Sequence, residues 1–246
     1  MKRIGALVLL FCVLVCSICG CSSTKTTETV LDYVDLCDYK AIDVPKEEYM
    51  VSDTDISTAI QMHMNSLNIE ASELSDSIAV EYFNCENASA VRNMIKKEII
   101  ENRFYEAARD MILESSIITS FPKNSNAYVD NMVSAQKTFA EAEGVSLNEY
   151  LNSYYEMTEE EFREAALCGY GDIMILKAIA EKENYTINAE ERNLLIESTA
   201  EYVGMSTEET LKLYGEEYFD CLLYEEFLKE LILDIYSDEI LAIGKS

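Results

Sequence analysis

Four runs of neighbouring carboxylates carry the side chains of this sequence that are best suited to acid–base chemistry. They are Glu159 to Glu161, Glu190 with Glu191, Glu208 with Glu209, and Glu216 with Glu217. Two carboxylates held together can act as general acid and general base. Adjacent residues on a helix point about 100° apart, however, and three of the runs follow predicted helix starts, where the helix dipole favours negative charge. We interpret the runs as solvated helix starts and predict that the protein is not an enzyme.

Imidazole and thiol groups are too few and too far apart to predict a nucleophilic or metal site. His63 is the only histidine and lies between Met62 and Met64, so we interpret it as a surface or packing residue. The four thiols beyond residue 21 are never closer than 48 residues, which excludes the short ligand spacing of zinc sites. We predict no metal and no cofactor. The spacing leaves open whether thiols pair or are buried apolar residues; they are Cys37, Cys85, Cys168 and Cys221.

The signals for helix starts and ends predict an all-α body. Pro and Gly number only 2 and 8, whereas a β-rich domain of this length needs many more turn residues. Three pairs have the spacing of a capping box and a fourth is a near variant: Ser146 with Glu149, Thr158 with Glu161, Ser206 with Glu209, and Asn188 with Glu191. Gly144 and Gly204 stand where helices are expected to end.

Apolar residues recur at helical spacing in four segments, which are 88–118, 126–142, 160–182 and 216–236. In the third segment Gly169 and Gly171 predict a kink or bend. In the fourth segment the apolar stripe repeats every four residues through Phe219, Leu223, Phe227, Leu231 and Ile235. Extended structure is predicted only within residues 31–44. The predicted fold is therefore a multi-helix body behind a short extended N-terminal segment.

The first 23 residues have the order of a secretory leader. Lys2 and Arg3 precede an apolar run from Ile4 to Ile18, which is too short to span a bilayer comfortably. Gly20 before Cys21 resembles the bacterial lipobox, and this resemblance implies cleavage before Cys21 and acylation of Cys21. An ordinary cleaved leader remains the alternative. We predict a lipoprotein anchored to the outer face of the cytoplasmic membrane, with 1–20 as signal peptide and 21–30 as tether.

The net charge restricts the partners of the protein. The chain carries −27 at neutral pH, and loss of Lys2 and Arg3 with the leader would make it −29. Such a surface disfavours nucleic acid, because phosphates must be neutralised by Lys and Arg. It also repels anionic lipid headgroups, so membrane attachment would have to come from the acyl chain at Cys21. The charge either favours cationic partners or serves only to keep the protein soluble.

Several segments resemble the trigger factor family, in the form found as lipoproteins in Gram-positive bacteria. The segment YVDLCDYKAIDVPKEEYMVSDTDISTAI is similar to the strand and helix that precede the isomerase domain of that family. ELSDSIAVEYF, followed by a long helix, resembles the start of its C-terminal domain. The end of that domain in the family is a segment leading into a helix, then a turn, then the last long helix, and it is resembled here by LKAIAEKENYTINAEERNLL, by EYVGMSTEE and by the residues that follow up to Asp234. The resemblance implies domains at 31–69 and 72–237, followed by a tail at 238–246.

The isomerase domain of the family is absent from this sequence. Only a few residues near Ile69 stand where the family has an FK506-binding-type domain, and the ribosome-binding domain is also missing. The resemblance therefore implies a helical body with projecting arms that holds unfolded or secreted polypeptides without ATP and without isomerase activity. The sequence does not indicate the clients or the oligomeric state.

Tyr150, Tyr154, Tyr155 and Met157 are the predicted client-binding residues, because they lie beside a helix break where side chains need not be buried. Tyr and Met adapt to varied apolar partners. The alternative function is a structural or assembly lipoprotein that binds one dedicated envelope partner.

Overall fold

The described part of the computed structural model, residues 29–71 and 73–244, is almost wholly helical, which confirms the predicted all-α class. A 3₁₀ turn covers Val30–Asp32. The remaining elements are β1 (Val34–Asp35), α1 (Lys46–Tyr49), α2 (Asp53–Ser66), α3 (Asp76–Phe83), α4 (Ala88–Ser115), β2 (Ile117–Ile118), α5 (Ser125–Glu143), α6 (Leu147–Tyr155), α7 (Glu159–Lys182), α8 (Ala189–Val203), α9 (Thr207–Tyr214), α10 (Glu216–Ile235) and α11 (Ser237–Gly244). Cys21 lies outside the described residues.

Local side-chain contacts explain where the helices begin and end. All three predicted capping boxes are present, at the starts of α6, α7 and α9. Asn188 caps α8 differently, because its side chain accepts from the backbone N–H of Glu190 rather than joining a reciprocal box. Gly144 and Gly204 end α5 and α8 with φ of 73° and 71°, a left-handed conformation that glycine adopts without a steric penalty.

The extended N-terminal segment pairs with a segment that the sequence assigned to a helix. β1 is antiparallel to β2, with Val34 opposite Ile118 and Asp35 opposite Ile117. The predicted helix at 88–118 therefore ends at Ser115, three residues early. Periodicity cannot detect this change, because the partner strand lies more than 80 residues away. The extended prediction for 31–44 is confirmed only at β1, since Leu31 belongs to the 3₁₀ turn.

The described chain divides into two compact units. The first unit contains residues 29–37 and Ser115–Leu228, and the second contains Asp38–Glu114 and residues 229–244. In the first unit α7 packs against both α5 and α6, and it supplies the buried residues Met174, Ile175 and Leu176. The second unit has a core of α2, α3 and the start of α4, built on Ile56, Ile60, Met64, Ala79, Val91 and Ile95.

A second cluster in the second unit is aromatic. Phe104 of α4 is fully buried, with the ring of Tyr49 at 5.0 Å and the ring of Tyr236 at 5.2 Å. The Tyr49 hydroxyl donates to Glu239 Oε1 at 2.8 Å, and burial together with this carboxylate raises the pKa of Tyr49 to about 12. The hydroxyl therefore keeps its proton throughout the physiological pH range and holds α11 to α1.

The buried stripe of α10 differs from the predicted one. Phe219 and Leu223 are buried as expected, but Leu228 and Ile232 follow them, whereas Phe227 and Leu231 are half-buried. A strict repeat of four residues drifts about 40° around the helix at each step, because the helical period is 3.6 residues. Leu228 and Ile232 lie about 180° around the helix from Phe219 and Leu223, so the N-terminal and C-terminal halves of α10 bury opposite sides.

None of the described helices is long and apolar enough to cross a membrane.

The two glycines of α7 have different structural roles. The helix is continuous from Glu159 to Lys182 and therefore is not interrupted at Gly169 or Gly171. A Cβ built on Gly171 would overlap the Cδ1 methyl of Ile118, whereas a Cβ on Gly169 meets nothing within 4 Å. Gly171 therefore permits close packing of β2 on α7, and Gly169 has no steric role.

The pair provides a matched test of this packing. We expect Gly169→Ala to raise the free energy of unfolding by about 0.5–1 kcal/mol, because alanine restricts the unfolded chain and favours helix. Gly171→Ala should instead lower it by about 1 kcal/mol, since Ile118 must shift to admit the methyl. Urea denaturation of both variants measures the two effects. Stabilisation of equal size by both substitutions would contradict the packing argument.

Candidate functional site

The predicted client-binding residues lie in and just after α6, but they are mostly engaged in packing. Tyr150 is only 6% exposed, and its ring centroid lies 4.5 Å from that of Tyr154. The Tyr155 hydroxyl donates to the buried Gln136 Oε1 at 3.1 Å. Met157 is half-buried. The expectation that these side chains need not be buried is therefore wrong for Tyr150, because α6 packs on α5 and α7 and covers it.

The environment of Tyr155 confirms a packing role for its ring. Its ring meets that of Phe162 edge-on, with centroids 5.4 Å apart. Burial raises the pKa of Tyr155 to about 12, and burial also raises the pKa of Tyr150. Both hydroxyls therefore remain protonated at neutral pH. Tyr155 accordingly serves as a half-buried donor to Gln136 on α5.

Tyr154 is the predicted residue with the most accessible surface. It is 44% exposed, and its hydroxyl donates to Glu143 Oε1 at 2.7 Å. Val145, 39% exposed, lies in the connection between α5 and α6. We call Val145 and Tyr154 the α5–α6 corner. The corner exposes an aliphatic and an aromatic side chain, but Tyr154 is held by Tyr150 and Glu143.

A second corner with the same local geometry exposes more apolar surface. Gly204 ends α8, Met205 follows, and Ser206 caps α9, just as Gly144, Val145 and Ser146 join α5 to α6. The backbone N–H groups of Met205 and Val145 donate to Ala200 O and Ala140 O, each at 3.0 Å. Tyr202 and Met205 are 74% and 42% exposed. We call Tyr202 and Met205 the α8–α9 corner.

The exposed surface continues along the outer face of α8. Leu194 is 59% exposed and lies on the same side of the helix as Glu197 and Glu201, at spacings of three and seven residues. Ile196 and Ala200 occupy the opposite, buried side. The outer face therefore combines apolar groups with carboxylates. No Lys or Arg occurs between residues 193 and 211 to neutralise them.

A small core holds α8 in place. Ile196, Tyr214 and Phe219 form it, and Leu195, Val203 and Leu211 pack around it. Arg192 ties α8 to α10, because its Nε lies 2.5 Å from Asp220 Oδ1 and its Nη2 lies 3.4 Å from Glu216 Oε2. These contacts fix the position of α8 on one side, while Leu194 and Tyr202 stay exposed to solvent.

Sequence reasoning missed the exposed apolar residues of α8, although a signal for one of them was present. Leu194, Leu195 and Ile196 are consecutive apolar residues, and so are Tyr202 and Val203. Three consecutive residues of a helix span about 200°, so they cannot all face one core. At least one residue of the first run must therefore point outward, and the structure shows that it is Leu194. Tyr202 and Val203 span only about 100°, so the exposure of Tyr202 is visible in the structure alone.

The three carboxylate runs that were predicted to follow helix starts lie in the first turns of α7, α8 and α9. The fourth run also lies in a first turn. Glu216 and Glu217 are in the first turn of α10. Thr158 donates to Glu161 Oε2 from its backbone N–H at 2.7 Å and from its hydroxyl at 2.8 Å. These bonds hold the pKa of Glu161 below its usual value, and Ser206 does the same for Glu209. Glu161 and Glu209 therefore serve as helix caps.

The described part of the chain is a helical domain with exposed apolar helix faces. The chain belongs to the family of the bacterial trigger factor C-terminus, whose sequence model matches residues 87–236. A trigger factor C-terminal domain has no catalytic activity of its own. Comparison with curated proteins and with solved structures gives no significant match. The matched range begins beside α4 and includes both corners, whereas the similarity predicted for 31–69 lies outside it.

The Glu161 cap predicts a pH-dependent contribution to stability. Because the folded pKa lies below the unfolded value of about 4.3, the ionised carboxylate stabilises the fold above that value and loses this effect as pH falls through the folded pKa. We expect Glu161→Gln to lower the urea midpoint at neutral pH and to differ less from the parent near pH 3. Glu160→Gln, in the same turn, is the control. An equal loss at both pH values would contradict a charge-based role.

Proposed function

We propose that the protein is an ATP-independent holdase, anchored outside the cytoplasmic membrane, that binds unfolded or secreted polypeptides and has no isomerase domain of its own. The family match over residues 87–236 is the observation that carries the chaperone part of this proposal. The exposed apolar faces add to it, because they offer a client several separate contacts. The leader and Cys21 are the sequence features that support the proposed extracytoplasmic location and anchoring.

The energetics suit reversible holding. Burying about 100 Å² of apolar surface contributes about 2.5 kcal/mol, which is too little for one side chain to retain a client. Several weak contacts at once are possible at Leu194 on α8, at Tyr202 and Met205 in the α8–α9 corner, and at Val145 and Tyr154 in the other corner. Any single contact can then dissociate without ATP. The carboxylates of Glu197 and Glu201 beside this face favour clients with positive charge.

The two corners provide a matched test of which surface binds clients. The variant Tyr202→Ser with Met205→Ser should suppress client aggregation less well, because it removes the more exposed apolar pair. The control variant Val145→Ser with Tyr154→Ser alters an aliphatic and an aromatic residue in the same local geometry and should have the smaller effect. Light scattering of two unrelated unfolded proteins, without ATP, measures the suppression. The chain from Ser22 onward is suitable, since it contains every described residue.

The outcomes separate the proposed functions. Suppression of both clients by the parent chain supports a general holdase, and weaker suppression at high salt assigns part of the binding to the carboxylates. If the Val145 and Tyr154 variant lost more of its suppression of aggregation, the client-binding surface would be assigned to the α5–α6 corner. No suppression of either client would overturn the holdase proposal and favour the second candidate, a lipoprotein that binds one envelope partner, which a pull-down from the cell envelope would then identify.

The anchor is tested independently of chaperoning. In a bacterial host that processes lipoproteins, Cys21→Ala should abolish incorporation of labelled palmitate and move the protein out of the membrane fraction, because it removes the acylated thiol. Cys19→Ala is the matched control and should leave both unchanged, since bulky Ile18 precedes Cys19 whereas Gly20 precedes Cys21. Membrane retention and labelling of Cys21→Ala would contradict the proposed anchor.

A further inference from the structure

The first described residue of the chain is fixed to the C-terminal end of α7. The Thr29 hydroxyl donates to Glu181 Oε2 at 2.5 Å. Thr29 also closes a capping box with Asp32, because its backbone N–H donates to Asp32 Oδ2 at 3.0 Å and its side-chain oxygen accepts from the backbone N–H of Leu31 at 3.2 Å. The point at which the preceding chain joins the first unit is therefore defined, and we call Thr29 with Glu181 the attachment point.

The segment between Val34 and the attachment point follows α7. Val34 is buried and pairs with Ile118, whose side chain packs on Gly171 near the middle of α7. Glu181 lies ten residues further along the helix, a rise of about 15 Å. Traced backward from Val34 to Thr29, the chain thus runs toward the C-terminal end of α7. Any tether that precedes Thr29 must start from this end of the helix.

Charge is distributed unequally along α7. Its first ten residues, 159–168, contain four glutamates and one arginine, whereas its last ten, 173–182, contain two lysines and one glutamate. Asp32 and Glu183 lie beside the second group and bring this end of the helix close to neutrality. An anionic bilayer therefore repels the C-terminal end of α7 less than the N-terminal end.

We propose that the C-terminal end of α7 is the part of the first unit that faces the membrane, and that the N-terminal end of α7 points away from it. This orientation rests on the proposed anchor at Cys21. Eight residue steps separate Cys21 from Thr29, so the attachment point stays within about 28 Å of the acylated residue. The 24 residues of α7 extend about 36 Å, so its two ends can differ clearly in height above the lipid.

Repulsion from lipid acts together with the tether. The mature chain carries 17 basic and 46 acidic side chains, so an anionic bilayer repels it. A repelled body that is held at one point turns until that point is nearest to the surface. The acidic first turn of α7, Glu159 to Glu161, is then directed away from the lipid. Tyr154 lies four residues before Thr158, the cap of α7, so the α5–α6 corner stands clear of the bilayer.

Energy transfer to an acceptor lipid measures this orientation. The acylated chain carries a fluorescent amino acid at Thr186, just beyond the C-terminal end of α7, or at Ala165, near its N-terminal end; both positions are exposed and uncharged. The vesicles contain phosphatidylglycerol and phosphatidylcholine in equal parts. We expect transfer from position 186 to be about twofold or more stronger, because Ala165 lies about 26 Å from the end of the helix.

The charge contribution has its own control. Raising the salt from about 50 mM to about 500 mM should lower the ratio of the two transfer efficiencies, because salt screens the repulsion that turns the chain. Vesicles of phosphatidylcholine alone should lower it in the same way. A ratio that neither change affects would overturn the role of charge in the orientation.

A matched pair of substitutions tests the attachment point. Thr29→Val removes the hydroxyl that binds Glu181 and accepts from Leu31, without changing the charge. The tether can then leave from β1, beside the middle of α7, so the ratio should fall toward one. Thr27→Val, the same change within the predicted tether, is the control and should leave the ratio unchanged. Equal ratios for Thr29→Val and the parent would overturn the attachment point.

The experiment separates failure of the orientation from failure of the anchor. Flotation of the chain with the vesicles reports on the anchor, whereas the ratio reports on the orientation. A floating parent chain with equal transfer from both positions, or with stronger transfer from position 165, would overturn the orientation and leave the anchor intact. A chain that does not float would overturn the anchor at Cys21 and the orientation with it. The aggregation assay decides separately whether the protein is a holdase.

Discussion

Repulsion between carboxylates is the constraint on which this structure depends. The chain contains 46 acidic and 19 basic side chains, so packing its helices brings like charges together. Carboxylates at helix N-termini reduce this cost, because free backbone N–H groups and the helix dipole stabilise negative charge there. Glu149, Glu161 and Glu209 each close a capping box, and hydrogen bonds from the capping residue lower the pKa of each. The surplus charge thus helps to define where helices begin.

The arginines link separate elements. Arg163 of α7 binds Asp130 of α5 at 2.8 Å and Glu159 of its own helix at 3.2 Å. Arg192 joins α8 to α10, and Arg103 joins α4 to α2. Isolated surface ion pairs contribute little, but an arginine that serves two partners fixes geometry as well as charge. These pairs orient the helices whose apolar faces form the cores.

Tyrosines of similar sequence context differ in burial, and this difference distinguishes packing residues from candidate client-binding residues. Tyr155 is held by Gln136 and Phe162, whereas Tyr202 of α8 is 74% exposed. The two helix corners share a glycine, an apolar residue and a serine cap, yet the α8–α9 corner exposes the more accessible tyrosine. Its difference lies in what packs behind the helix, because α6 is enclosed by α5 and α7 while α8 has a core on one side only.

The sequence by itself determined the helices, their capping boxes and the glycines at their ends, because these features depend on side chains three or four residues apart. The tertiary structure alone decided that β2 replaces the last residues of the helix predicted at 88–118, that Tyr150 is covered, and that the C-terminal half of α10 buries Leu228 rather than Phe227. Each of these outcomes depends on a partner distant in the chain. Local spacing specifies which helix face is apolar, whereas only packing specifies which apolar face is left for another molecule.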